Sequence, residues 1–590
     1  MRALYLWQLS SSPFWDTLIG DPARYDAWAR EIAAGDWRGE GVFYQAPLYP
    51  YFLAVVYRLF GAAPLAARVV QCFVGAASCV LLALATRSFF GRRAAARAGA
   101  LLALYPPALF FDALLQKSVL DMFFLALTLA LAGRAWGRGA RGWLATGVAA
   151  GCLALTRENA LGLVAVLALW LLCDRARGDR RARLRASALF LAGVALVLAP
   201  VAVRNWRVGG ELVLTSSQAG RNLYYGNRPG ADGTYQPLRP GRGAIRWEEA
   251  DARELAEAAL GRRLSAAEIS DYWSGRALAF VRERPGEWLR LMARKAFLAL
   301  NALEIMDTED QYSHRDHAPL AKALGWVLHF GVVLPLAALG AAVTRRDPGG
   351  RGRALLALLL AAYTASILVF FVLDRYRYPM VAILIPFAAA GLAGAAPGLR
   401  AMCGAGRAAT FAGVGLLALV SNWPVMEVSR FEAETYNNLG ATLAVEGERL
   451  ELAARHLERS LRYRPEAAAP HHNLGIVHEK LGRPANAADE FARALELGPA
   501  SANTLRHLAH NLAVLGRLEE AASAYERALA LEPRDAAAWN RLGIARAELG
   551  RFAGAVAAFE RALAVDAELS GAAANLERAR ARLAADAVAP

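Results

Sequence analysis

The stretch Pro64-Leu-Ala-Ala-Arg-Val-Val-Gln-Cys72-Phe-Val-Gly-Ala-Ala-Ser-Cys79-Val-Leu-Leu-Ala-Leu-Ala-Thr-Arg87-Ser-Phe-Phe90 carries no charge between Arg68 and Arg87. An uncharged apolar run of that length fits a membrane-crossing helix. Similar runs follow at about 98–116, 119–133, 143–157, 160–173, 186–203, 322–343, 354–372, 378–396 and 408–422. The sequence therefore predicts an all-α, polytopic membrane domain of about ten segments over 64–425, some of them shorter than a full span. The composition agrees: 56% of the 590 residues are hydrophobic and mean hydropathy is +0.26, too apolar for a soluble enzyme.

The formal charge of +15 could point to nucleic acid, but the arginines cluster in short loops between the apolar runs. Arg92-Arg93 with Arg97, Arg134 to Arg141, Arg175 to Arg185, Arg345 to Arg353, and Arg400 with Arg407 fall in alternate loops, which the positive-inside rule assigns to the cytoplasm. The opposite set is then external: residues 1–63, the turns at Lys117 and at Arg157-Glu158, the long segment 204–321, and Asp374 to Tyr378. An odd last crossing at 408–422 leaves the remainder external too, which in a Gram-negative cell is the periplasm. The five cysteines lie in or beside apolar runs without paired or metal-type spacing, so no disulfide framework is expected.

The C-terminal region is a repeat array. Asn473-Leu474-Gly475, Leu508-Ala509 and Leu542-Gly543 recur every 34 residues, with an earlier copy at Leu439-Gly440. Each of the last three supplies a small residue (Ala487, Ala521, Ala555), an aromatic (Phe491, Tyr525, Phe559) and a further alanine. This pattern resembles the tetratricopeptide repeat. It implies an α-solenoid of four helix pairs over 433–568, closed by a solvating cap helix at 570–585. No acid, base or metal cluster recurs in it, so this region is expected to bind a peptide or protein.

Candidate chemistry lies in the first external loop, 1–63. In Gly20-Asp21-Pro22-Ala23-Arg24-Tyr25, Asp21 and Pro22 match a helix start, which brings Arg24 and Tyr25 onto the face of Asp21. Asp21 reads either as an N-cap or as a reactive carboxylate. Together with Gly35-Asp36-Trp37, the aromatic-proline element Pro47 to Pro50 and the multi-span region, it resembles the GT-C glycosyltransferases that use polyprenyl-phosphate sugars, which include the protein O-mannosyltransferases and the aminoarabinose transferases. The resemblance implies that Asp21 is the catalytic carboxylate and that the donor is a polyprenyl-phosphate-linked sugar. It also implies an enzyme of the bacterial inner membrane with its repeats on the periplasmic side, where a protein acceptor could dock. Relatives normally carry a signal-anchor helix ahead of this loop, whereas residues 1–63 carry no span, so either this start falls after that helix or the helix is absent.

Other residues carry two readings each. Arg375 and Arg377, in Asp374-Arg-Tyr-Arg-Tyr-Pro379, can fork onto a leaving phosphate or snorkel to lipid headgroups. Lys117 can meet donor phosphate or anchor the interface. Asp112 and Asp121 are the nearest candidates for the family's second carboxylate. Arg157-Glu158 is a functional intramembrane pair or a structural one closing a turn. Arg204-Asn205 and Gly220 to Asn227 resemble an element of bacterial members and are expected to shape the cleft. His314, Asp316 and His317 have a spacing too weak to define a metal site, and no cofactor is called, a divalent metal being left open. Three alternatives stand beside the transferase: a lipid A or envelope-glycan glycosyltransferase, a non-catalytic membrane-tethered repeat scaffold, and a transporter. Ten segments with polar external loops exceed what an anchor needs, and the charges lie at loops rather than mid-span, which weighs against the last two.

Overall fold

The computed structural model describes residues 1–136, 141–239, 245–345 and 350–586; Arg138 and Arg346 of the arginine clusters lie outside them. It is helical throughout these residues and divides into two compact units, Met1–Glu427 and Val428–Pro590.

The first unit opens with α1 (Arg2–Leu9), α2 (Asp21–Ala34) and α3 (Leu48–Phe60), all too short to span. They are followed by α4 (Pro64–Phe90), α5 (Arg92–Leu104), α6 (Pro106–Ala113), α7 (Ser118–Ala135), α8 (Gly142–Thr156), α9 (Leu161–Cys173) and α10 (Arg180–Gly209). A mixed helical segment holds α11 (Ala219–Gly226), α12 (Ile245–Leu260), α13 (Ala266–Glu283), α14 (Pro285–Leu300) and α15 (Gln311–Arg315). The membrane domain closes with α16 (Pro319–Val327), α17 (Phe330–Val343), α18 (Gly350–Val369), α19 (Asp374–Arg377), α20 (Val381–Arg400) and α21 (Gly404–Ser421).

Seven helices among the described residues are long and apolar enough to cross a membrane, and an eighth if α5 and α6 count as one broken span. The sequence count of about ten is larger for two reasons. The run 98–116 is broken at Tyr105, where Pro106 disfavours helix in the residue before it; Tyr105 is extended (φ −75°, ψ 113°) and the two halves meet at 57°. The runs 143–157 and 160–173 are separate helices of 15 and 13 residues, short of a full span. Both nonetheless connect the two ends of the bundle. Arg157, after α8, bonds to Asp121 at the start of α7, whereas Asp174, after α9, pairs with Arg351 at the start of α18.

The loops read as one set from arginine placement meet at one end of this unit. Asp21 reaches Arg375, Lys117 reaches Glu158, Glu158 accepts from Ser216, and the Phe43 amide donates to Asn205. Chain exit is at this end as well, since Asn301 donates to the Trp423 carbonyl after α21 while the neighbouring Arg377 binds the Asn301 carbonyl. α2 and α3 are fastened there by an apolar cluster in which Tyr25, Ile32, Tyr49 and Leu53 pack with Leu115 and Val119.

The second unit is four antiparallel helix pairs, from Val428–Glu446 with Leu450–Tyr463 to Ala536–Glu548 with Phe552–Val565, and a last helix, Ala572–Asp586. The spacing seen in sequence has a packing cause. A Cβ on Gly475 would lie 2.7 Å from the Phe491 ring, and one on Gly543 would lie 2.5 Å from the Phe559 ring. The glycine of the first helix in a pair admits the aromatic of the second.

Candidate active site

Asp21 is the first residue of α2, but it does not cap it. Gly20 is the N-cap, at φ +63° and ψ −123°, and no side chain caps the helix. The backbone there turns through a conformation that favours glycine. A Cβ on Gly20 would also lie 2.5 Å from Thr308 Cγ2. The helix thus begins one residue earlier than the capping reading requires, and the Asp21 carboxylate is left for tertiary partners. One oxygen accepts from Gln45 Nε2 at 3.1 Å, and the other from Arg375 Nη1. Burial pushes the Asp21 carboxyl up, but the charge and hydrogen bond of Arg375, the charge of Lys117 and the bond from Gln45 together hold it below the usual carboxylate range.

Arg375 Nη1 also lies 2.9 Å from Asp307 Oδ2, so one guanidinium nitrogen joins two carboxylates. Asp307 was not singled out in the sequence, because nothing near it in Glu304 to Asp310 distinguishes it from the other acids of that loop. Burial pushes its carboxyl up to about 6, opposed by Arg375 and reinforced by Asp21 and Glu248. Two acids on one arginine are therefore driven apart, Asp21 low and Asp307 high. A small recess beside them is lined by Pro22, Phe111, Gln116, Asp307 and Asp374.

The remaining residues singled out in the sequence divide. Lys117 is buried, 3.9 Å from Glu158 Oε2, and burial holds its ammonium below the ordinary lysine range against the pull of Glu158. Glu158 further accepts from Ser216 Oγ (2.5 Å) and Gln218 Nε2 (3.0 Å). Tyr25 is fully buried, edge-on to Tyr49. Arg24 lies with its guanidinium 5.1 Å from the centre of the Tyr44 ring.

Three others are engaged in structural pairs. Arg157 donates from Nε and Nη2 to Asp121 Oδ2 (2.7 and 2.5 Å), and both groups are buried. Arg377 is held by Glu304, by the Asn301 and Leu303 carbonyls, and by the Phe330 ring at 4.2 Å. Asp112 accepts from Arg2 Nε at 2.6 Å and packs against Gly75 of α4. His314 is likewise engaged: it is buried, bonded to Glu309 Oε2 at 2.8 Å and stacked on Phe14 at 4.3 Å, and Asp316 lies 3.4 Å from Lys322. Among the described residues no group of three His, Cys, Asp or Glu side chains is placed to hold a metal ion.

Residues 44–206 match the model of the dolichyl-phosphate-mannose-protein mannosyltransferase family, so Asp21 lies just ahead of the matched region. Residues 439–502 and 507–573 match the tetratricopeptide repeat. No curated relative matches the chain. Similar solved structures include YrrB, described as a tetratricopeptide protein with an unusual peptide-binding site, at 25% identity over 25% of this chain and 76% of that one, TM-score 0.25. They also include the MamA protein (21% identity, 26% and 83%, TM-score 0.25) and PilF of Pseudomonas aeruginosa (22%, 27% and 72%, TM-score 0.24). With the helical membrane domain, the family match and the repeats together, the chain is a membrane glycosyltransferase in which residues 44–206 form a region of the dolichyl-phosphate-mannose-protein mannosyltransferase type and the C-terminal part carries tetratricopeptide repeats.

Proposed function

We propose that the protein moves a sugar from a polyprenyl-phosphate donor to an acceptor hydroxyl outside the bacterial inner membrane, with Asp21 as general base. The observation that carries this reading is the placement of the Asp21 carboxylate: buried, uninvolved in capping, and aimed at Arg375 and Gln45. A carboxylate held ionised is in the form that accepts a proton. In the step proposed, the acceptor oxygen bonds to the sugar's anomeric carbon and gives its proton to Asp21. The bond from that carbon to the phosphate oxygen breaks, and its electron pair leaves with polyprenyl phosphate. Arg375 positions Asp21, and Asp307 fixes Arg375 from the other side.

The repeats are proposed to dock a protein acceptor, on the periplasmic face. Support comes from the end of the bundle at which α21 finishes, which is the end where Asp21 and Arg375 meet. Purified protein incubated with polyprenyl-phosphate sugar and an acceptor extract should consume donor and label a protein. Labelling of lipid A or glycan alone would replace the protein acceptor by an envelope lipid or polysaccharide, and an unconsumed donor would remove the donor class. Alkaline phosphatase joined after Pro590 should be active; an active cytoplasmic reporter in its place would reverse the orientation.

A further inference from the structure

Lys295, on α14, is fully buried, and among the described residues it has no ion pair; burial pushes its ammonium down to about 7 with no acid to oppose the fall. Its Nζ donates to the Leu368 carbonyl at 3.1 Å and to Asn227 Oδ1 at 3.3 Å. Asn227, the residue after α11, completes the arrangement. Its Nδ2 donates to the Val369 carbonyl at 2.7 Å and to the Leu223 carbonyl at 2.9 Å, while its Oδ1 also accepts from Trp288 Nε1 at 3.1 Å. Leu368 and Val369 are the last residues of α18, and the final carbonyls of a helix have no partner within it. A cation suits that end of the helix dipole. Burying one is costly all the same, and a methionine of similar length would avoid the cost. What the lysine adds is a donor for the open carbonyl.

The chain beyond that carbonyl leads to the site. Residues 370–373 are not helical and run directly into α19, which carries Arg375. They lie against the same external segment that supplies Lys295. A Cβ on Gly226 would lie 1.9 Å from the Phe370 carbonyl oxygen, the Val372 amide donates to the Gly233 carbonyl at 2.9 Å, and the Asp374 amide donates to the Ile305 carbonyl at 2.8 Å. Gly233 in turn rests on the lysine stem, where a Cβ would lie 3.2 Å from Lys295 Cγ. Arg375 then meets Asp21 and Asp307. We propose that Lys295 is a positioning residue for sugar transfer: with Asn227 it closes the end of α18, which sets where the chain leaves that helix and so where Arg375 meets Asp21. The inference rests on the reading of Asp21 as general base, and it gives the external segment a part in placing that base.

The test is a double-mutant cycle on purified full-length protein in detergent, assayed with a polyprenyl-phosphate sugar and an acceptor extract, with a melting curve for each variant. Lys295→Met should lower kcat by up to about 100-fold, the cost of misplacing a reacting group by about 1 Å, and leave KM unchanged. In the Arg375→Gln background the same substitution should cause no further loss, because the arginine through which Lys295 acts is already gone. A lysine that merely supports the fold would lower both backgrounds alike. Trp288→Phe, which removes one donor to Asn227 and keeps a ring, is the second variant and decides the matter if Lys295→Met does not fold; it should lower kcat less and show the same coupling to Arg375→Gln. Unchanged kcat in the folded variant, or losses that multiply with that of Arg375→Gln, would overturn the positioning role and leave Asp21 as base. Wild-type protein that consumes no donor would overturn both.

Discussion

Arg375 Nη1 donates to Asp21 Oδ2 across 354 residues of chain, joining the first turn of α2 to the short α19 helix ahead of α20. The same nitrogen lies 2.9 Å from Asp307, so the contact fixes three segments at once. Several consequences can be measured.

Asp21→Asn should reduce sugar transfer by roughly 100- to 10,000-fold, the range for a general base. The capping argument alone would leave stability untouched, because asparagine caps as well as aspartate. The structure alters that expectation: the carboxylate is half of a buried ion pair, so the melting temperature should also fall by a few degrees. The fall stays moderate because Asp307 still accompanies Arg375. Near-normal transfer by the variant would leave Asp21 as a fastening for Arg375 only.

Asp307 should give a pH signature. Its carboxyl is raised from an ordinary 3.8 to about 6, so the folded protein binds that proton more tightly than the unfolded chain does. The stability it contributes is complete below about pH 4 and is lost as pH rises through about 6. Asp307→Asn removes this dependence, so the melting temperature of the variant relative to wild type should be higher at pH 7 than at pH 4. A difference that does not change with pH would contradict the raised carboxyl.

Gly20→Ala should cost stability and activity together. The residue would adopt a backbone conformation that side chains disfavour, about 1–3 kcal/mol, with its Cβ against Thr308. Thr308→Ala in the same background should recover the part due to the collision and none of the part due to the dihedral. Melting curves and initial rates of the single and double variants separate the two.

Removal of the second unit, Val428–Pro590, should leave donor cleavage measurable and lower transfer to the natural acceptor, since the catalytic candidates all lie in Met1–Glu427. Quantitative product analysis with a native acceptor and a simple hydroxyl acceptor reads the difference. Undiminished transfer to the native acceptor would show that the repeats dock something else.

Much of this arrangement was legible in the chain, for reasons that differ by residue. The repeats announce themselves because a small residue of the first helix must admit a bulky one of the second, Leu457 on Gly440, Phe491 on Gly475 and Phe559 on Gly543, which writes the period into the sequence. Asp21, Arg24 and Tyr25 could be grouped because neighbours on one helical turn share a face. The Asp374-Arg-Tyr-Arg segment was marked by charge at a span's end, yet which arginine faces Asp21 depended on where Glu304 lay, and Glu304 takes Arg377. Asp307 was beyond reach. It owes its place to partners contributed by other segments, and local sequence records nothing of a meeting across such distances. Asp112 was misleading for the same reason, since its partner is Arg2.

The two short helices set a depth. At 1.5 Å per residue, α8 and α9 rise only about 20–23 Å, against a hydrocarbon slab of about 30 Å. Lipid bordering them meets a protein wall lower than itself, so either the bilayer pinches inward at that flank or the Arg157-Glu158 turn sits submerged. Glu158 pairs with Lys117, the residue that opens α7, so the turn between the two short helices stays level with the start of a helix long enough to cross. A bilayer thinned at that flank brings its headgroups to the level of that turn.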